Sequence, residues 1–114
     1  GDFFFCPQAL WTAAHHQIPL LVIMNNNRSY FNSENHALSV ARDRKRPVEN
    51  RWIGTTIEKP FVDFSGLARS MGVYSEGPIE DLANFKPALK RAIKSIKDNN
   101  QPALIDVITA KTGR

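Results

Sequence analysis

The pattern of apolar and polar positions divides the chain into alternating helix-period and strand-like stretches. From Gln8 to Gln17 the apolar Ala9, Leu10, Ala13 and Ala14 recur with helical spacing. Ile18-Pro19 closes that helix, because a residue preceding proline is pushed out of the α region. Leu20 to Met24 is apolar at every position, as expected of a strand covered on both faces of a parallel sheet. It gives way to Asn25-Asn26-Asn27, which are poor strand formers and good turn formers. Arg28 to Lys59 is less regular. It holds a turn or two of helix over Asn35 to Ala41, a charge run from Arg42 to Arg46 broken by Pro47, and Trp52, Ile53 and Ile57 as apolar anchors in a polar loop. Asp63 or Ser65 then caps a helix carrying Phe64, Leu67, Ala68 and Met71 and stopping at Gly72.

Val73-Tyr74 reads as a brief strand and Ile79 to Ala83 as the start of a helical turn. Pro87 is placed in the first turn of a second helix. That helix carries Leu89, Ala92, Ile93 and Ile96 on its apolar face and Lys90, Arg91, Lys94 and Lys97 opposite. Asn99-Asn100 end it, and Ala103 to Ile108 forms the last strand. Asp2 to Phe5 ends a strand or makes a strand-to-helix turn. The alternation predicts an α/β domain with a mainly parallel sheet and helices on both faces.

Composition narrows the picture without changing it. The chain has 114 residues, 42% hydrophobic and 23% charged, enough for one core and too apolar for a disordered chain. The net charge of +4 is concentrated between Arg42 and Arg51 and between Lys86 and Lys97, so it describes surfaces. A lone cysteine, Cys6, points to a reducing compartment and is read as inert packing. No stretch approaches the roughly 20 apolar residues that span a bilayer. The chain opens on Gly1-Asp2 without an initiator Met, and is expected to be a piece of a longer polypeptide truncated at its N-terminus.

Candidate chemistry lies at strand ends, since open α/β sheets bind ligands beyond the carboxyl ends of their strands. Gly1-Asp2 is one such place and Asn25-Asn26-Asn27 another. Glycine lets backbone approach a phosphate, a following helix offers free N–H groups, and an asparagine oxygen suits Mg²⁺. The three asparagines are equally consistent with a plain turn.

The residues themselves resemble the C-terminal, diphosphate-binding domain of thiamine diphosphate-dependent enzymes of the acetolactate synthase and benzoylformate decarboxylase group. The family hallmark is Gly-Asp-Gly, about two dozen residues, then Asn-Asn. Ala9 to Ala14 with Ile18-Pro19, Asn26 to Asn32, and Arg46 to Gly54 carry the likeness, which extends through Gln101 to Val107. An ungapped match puts Gly1 at the third position of Gly-Asp-Gly, so that the motif's metal-binding aspartate precedes the first residue. The other register takes Gly1-Asp2 as the motif. It would put Phe3 where glycine belongs and block close backbone approach.

The resemblance implies a role for each residue. Asn27 gives its side-chain oxygen to Mg²⁺ and Ser29 its backbone carbonyl. Gly1, Asp2 and Phe3 present backbone N–H groups to the diphosphate, helped by Tyr30 and Phe31. The implied whole is a cytoplasmic 2-oxo acid decarboxylase or carboligase, a homodimer or homotetramer whose activating glutamate lies in another domain. The 114-residue chain alone is therefore expected to be inactive.

Other readings are weaker. A nicotinamide-binding Rossmann domain would need G-x-G-x-x-G, which the six dispersed glycines do not supply. A nucleic-acid role for Arg42, Arg44, Lys45 and Arg46 lacks an accompanying motif, and Asp43 and Glu49 interrupt the run. His15 and His16 are neighbours and cannot chelate at helical i, i+4 spacing; His36 sits in the irregular stretch near the candidate loop.

Overall fold

The computed structural model describes residues 1–110. The element order is a 3-10 turn (Asp2–Phe5), α1 (Ala9–His15), β1 (Leu21–Asn26), α2 (Phe31–Asp43), α3 (Phe64–Ser70), β2 (Tyr74–Ile79), α4 (Leu82–Asn99) and β3 (Ala103–Ile108). The strands form one parallel sheet in the order β1-β3-β2. In β1–β3 the register runs from Leu21↔Ala103 to Asn26↔Ile108, which brings the carboxyl ends of these strands to one edge of the molecule.

Helices lie on both faces of the sheet and cover the central β3 on each, as its apolar run predicts; the β1 run is not covered on both faces, since Leu20 and Ile23 are 42% and 50% exposed. On one face Leu104 packs with Leu10 of α1 and with Ala68 and Val73 at α3, and Val22 joins them. On the other, Ala103 and Ile105 pack against Ala88 and Ala92 of α4, with Leu21 and Tyr74 alongside. The alternation of β3 between the two layers explains why Ala103 to Asp106 are all buried. Among the described residues no helix is long and apolar enough to cross a membrane.

Asp63 caps α3, its carboxylate accepting from the Gly66 N–H at 2.7 Å, and Gly72 ends that segment at φ +81°. Asn100 closes α4 in the left-handed conformation, and its amide donates to the Gln17 carbonyl at 3.2 Å, tying α4 to the end of α1.

Several local expectations are corrected. Of the two alternatives for Asp2 to Phe5, the strand end is not observed; the segment is a 3-10 turn ahead of α1, held by ring contacts of Phe3 and Phe4 with Phe64 at 5.2 and 5.4 Å. Asn25 and Asn26 belong to β1, because the β3 ladder extends past the apolar run. The Asn35–Ala41 helix is longer, Phe31–Asp43, yet of its thirteen residues only Glu34 is buried. This helix and the loop after it stand away from the sheet, so the radius of gyration is 16.7 Å where a compact chain of this length has about 13 Å. Trp52 and Ile53 are 52% and 62% exposed and do not anchor the loop to this chain; Cys6 is exposed too, not packed inside.

Ile79 closes β2 and does not begin a helix. Pro87 lies in the second turn of α4, which continues through it because Phe85, Ala88 and Leu89 pack on the sheet on either side. The buried stripe of α4 includes Ala88, while Ile93 is 37% exposed.

Arg91, on the face of α4 opposite the apolar stripe, grips Glu76 of β2 with two bonds of 2.8 and 2.6 Å. The Tyr74 hydroxyl donates to the same carboxylate at 2.5 Å. These donors, Arg91 first, hold the Glu76 carboxyl below its ordinary range. A carboxylate held low in the fold contributes stability that is present above its unfolded pKa and lost as pH falls through the folded one. Glu76→Gln is therefore expected to flatten the acid limb of the denaturation profile below about pH 4.5. Urea midpoints measured from pH 7 to pH 3 check this, and parallel profiles for variant and wild type would contradict it.

Candidate functional site

Beyond the carboxyl end of β1 the chain turns sharply. Arg28 adopts the left-handed conformation at φ +55°, unusual for a residue with a Cβ. Two successive side-chain caps stabilise the turn. The Arg28 N–H donates to Asn26 Oδ1 at 3.2 Å, and the Ser29 N–H donates to Asn27 Oδ1 at 3.1 Å. Asn27 is half-buried and keeps a second lone pair on that oxygen.

Ser29 is 2% exposed. Its hydroxyl lies 3.3 Å from Glu34 Oε2 and 3.2 Å from the Thr55 carbonyl. Thr55 also accepts from the Tyr30 N–H at 2.7 Å, and the Ile57 N–H donates to the Arg28 carbonyl at 2.8 Å. Arg51 reaches Glu34 at 3.7 Å. The long loop is thus stitched to the Asn27–Tyr30 segment, and α2 leaves the site directly from its Tyr30 cap.

The amino end lies against this turn. The Gly1 amino nitrogen donates to the Ser29 carbonyl at 3.4 Å. A Cβ built on Gly1 would fall 2.4 Å from Cδ1 of Tyr30, so any larger residue must displace that ring. Phe4 and Phe5 both lie 6.3 Å from the same ring. Gly1, Asp2, Phe3, Asn27, Ser29, Tyr30 and Phe31, the seven residues singled out in the sequence, all line one open cleft of about 630 Å³. Val22, Met24 and Asn25 form its floor. The first two N–H groups of the 3-10 turn, those of Asp2 and Phe3, have no acceptor within the turn.

The donor set fits a magnesium-bound diphosphate in kind. Asn27 and Ser29 offer neutral oxygens of the kind that would suit a hard cation. Gly1 lines the cleft beside them, and its lack of a Cβ is what lets the Tyr30 ring pack against it. Among the described residues no group of three His, Cys, Asp or Glu side chains forms a separate metal site. His15 stacks on Trp11 at 4.9 Å and His36 is exposed on α2; neither lines the cleft.

Sequence reasoning missed Glu34, Thr55 and Asp106 among the residues that brace the turn, and named Ile57 only as an apolar anchor and Asn26 only as part of the asparagine corner. Asp106 is 1% exposed on the central strand, and burial pushes its carboxyl above the ordinary range. A charge inside the apolar run of β3 was the available signal.

Comparison with known proteins gives one family. A family model described as "Thiamine pyrophosphate enzyme, C-terminal TPP binding domain" matches residues 1–107. No solved structure matches the chain.

Proposed function

The chain belongs to the C-terminal, thiamine pyrophosphate-binding domain family of thiamine pyrophosphate enzymes, and from that premise we propose that its cleft holds the diphosphate of the cofactor through Mg²⁺. The observation that carries this reading is the convergence of Gly1, Asp2 and Phe3 with Asn27 and Ser29 on one cleft at the carboxyl edge of a parallel sheet. Asn27 Oδ1 and the Ser29 carbonyl would face the metal. The Asp2 and Phe3 N–H groups would face phosphate oxygens, with Tyr30 and Phe31 walling the cleft.

When bound, thiamine diphosphate supplies a carbon nucleophile and an electron sink for 2-oxo acids. The residues of this chain bind and orient it; the acetolactate synthase-like or benzoylformate decarboxylase-like reaction is completed by groups outside the cleft, and this chain alone is inactive. Exposed Phe5, Trp11, Trp52, Ile53 and Leu82 support burial against other protein surface, as in a homodimer or homotetramer, and a free Cys6 accords with the cytoplasm.

Calorimetric titration of the polypeptide as its gene encodes it tests the proposal. Thiamine diphosphate is expected to bind with Mg²⁺ present and to lose at least tenfold in affinity when the metal is chelated. Thiamine, which lacks the diphosphate, is expected to bind far more weakly under both conditions. Equal binding of the two ligands, or indifference to chelation, would overturn it.

A further inference from the structure

Asp106 and Asn26 are the most deeply buried polar pair beside the cleft, and the cleft does not include either of them. They sit diagonally across the β1–β3 ladder, which pairs Asn26 with Ile108 and Met24 with Asp106, and Asn26 Nδ2 donates to Asp106 Oδ2 at 3.3 Å. The other end of the Asn26 amide accepts from the Arg28 N–H. A carboxylate only accepts, so Asn26 must turn its nitrogen to Asp106 and its oxygen to the loop. Facing an apolar residue, the amide would be held in that direction by the Arg28 N–H alone. With both partners in place, its Oδ1 caps the left-handed turn at Arg28, next to Asn27 and Ser29.

Packing alone gives no reason for a carboxylate here. Leu104 and Ile105 beside it are fully buried, and Asp106 Oδ1 has no hydrogen-bond partner among the described residues, a costly arrangement. Asp106 borders a small cavity of about 50 Å³, lined also by Arg28, Phe61 and Phe64, with room for water.

We propose that Asp106 is a positioning residue for the metal–diphosphate loop, acting through Asn26 to fix the orientation of the oxygens that Asn27 and Ser29 offer. The inference rests on the cofactor reading above for its functional consequence, and on the hydrogen-bond chain alone for its structural one.

An exchange of the pair separates this role from mere packing. In Asn26→Asp two acceptors oppose each other, and in Asp106→Leu the Asn26 amide loses its partner; each is expected to raise the Mg²⁺ concentration needed for thiamine diphosphate binding at least tenfold. In the double variant N26D/D106N, Asn at 106 donates and Asp at 26 still accepts from the Arg28 N–H, so the requirement returns to within threefold of wild type. Hydrogen exchange at the Arg28 amide should quicken at least tenfold in the single variants and recover in the double, while α4 and β3 amides stay protected.

A folded double variant that binds tenfold more weakly than wild type overturns the inference, even if neither single variant folds. So does a folded Asp106→Leu variant with wild-type magnesium dependence and Arg28 protection. If the wild type binds no thiamine diphosphate, the cofactor reading fails, and Arg28 exchange still decides the hydrogen-bond chain.

Discussion

Replacing Asn27 by alanine is expected to weaken magnesium-dependent thiamine diphosphate binding by at least about 100-fold, the upper end of what losing even an outer partner of a metal costs. Two losses coincide in this variant. The side-chain oxygen proposed as a metal ligand disappears, and so does the cap on the Ser29 N–H, whose 3.1 Å bond holds the neighbouring carbonyl in place. The structural part is small: a half-exposed cap of this kind contributes about 1 kcal/mol, so the variant should fold. Asn27→Asp separates the two effects. It keeps the cap and an oxygen ligand but adds a negative charge beside the diphosphate. Mg²⁺ alone should then bind at least as well as in wild type, while thiamine diphosphate gains less from the metal. Titrations of metal and cofactor, separately and together, check both variants. Retention of wild-type affinity in Asn27→Ala would remove Asn27 from the site.

Much of this arrangement was legible in the sequence where periodicity and burial coincide. Ala103 to Ile105 are apolar because helices cover both faces of the central strand, whereas Leu20 and Ile23 in the β1 run stay 42% and 50% exposed; the α3 pattern from Phe64 to Met71 is bounded by an aspartate cap and a glycine stop. Reading failed where tertiary contact overrode local preference. Ser75-Glu76-Gly77-Pro78 looks like a turn, yet it continues β2, because an edge strand tolerates proline and a register shift between Glu76 and Ile79 absorbs the irregularity. α2 gave little signal since Asn32, Ser33, Asn35 and His36 neither favour helix nor bury. The site's two halves were visible as Gly1-Asp2 and Asn25 to Asn27, but not the turn that joins them. The loop strapped down by Thr55 and Ile57, and Asp106 behind Asn26, are set by residues between roughly twenty-five and eighty positions apart, which no local pattern encodes; only the cap of the left-handed Arg28 by Asn26 is local.

Gly77→Ala is the substitution expected to cost the fold most, and its effect reaches the site from behind. Gly77 has φ +127°, a conformation that a residue with a Cβ adopts only with strain, and its ideal Cβ would fall 2.5 Å from the Asp106 carbonyl oxygen and 2.8 Å from the Asp106 Cβ. The carbonyl is backbone of the central strand and cannot swing aside, so either β2 must peel from β3 or β3 must shift, carrying Asp106 with it. Strain and overlap together are expected to destabilise by about 3 kcal/mol or more, lowering Tm by about 10 °C or more. Gly54→Ala supplies the control. Gly54 also has a positive φ, +77°, but its Cβ would meet nothing within 4 Å, so only the conformational cost of about 1 kcal/mol applies. Thermal unfolding of both variants separates overlap from backbone strain. Because the contact at Gly77 is with Asp106, the surviving folded fraction of Gly77→Ala should also show faster exchange at the Arg28 amide, whereas Gly54→Ala should not. Equal Tm shifts in the two variants would mean that the β2–β3 contact at Gly77 is looser than its geometry states.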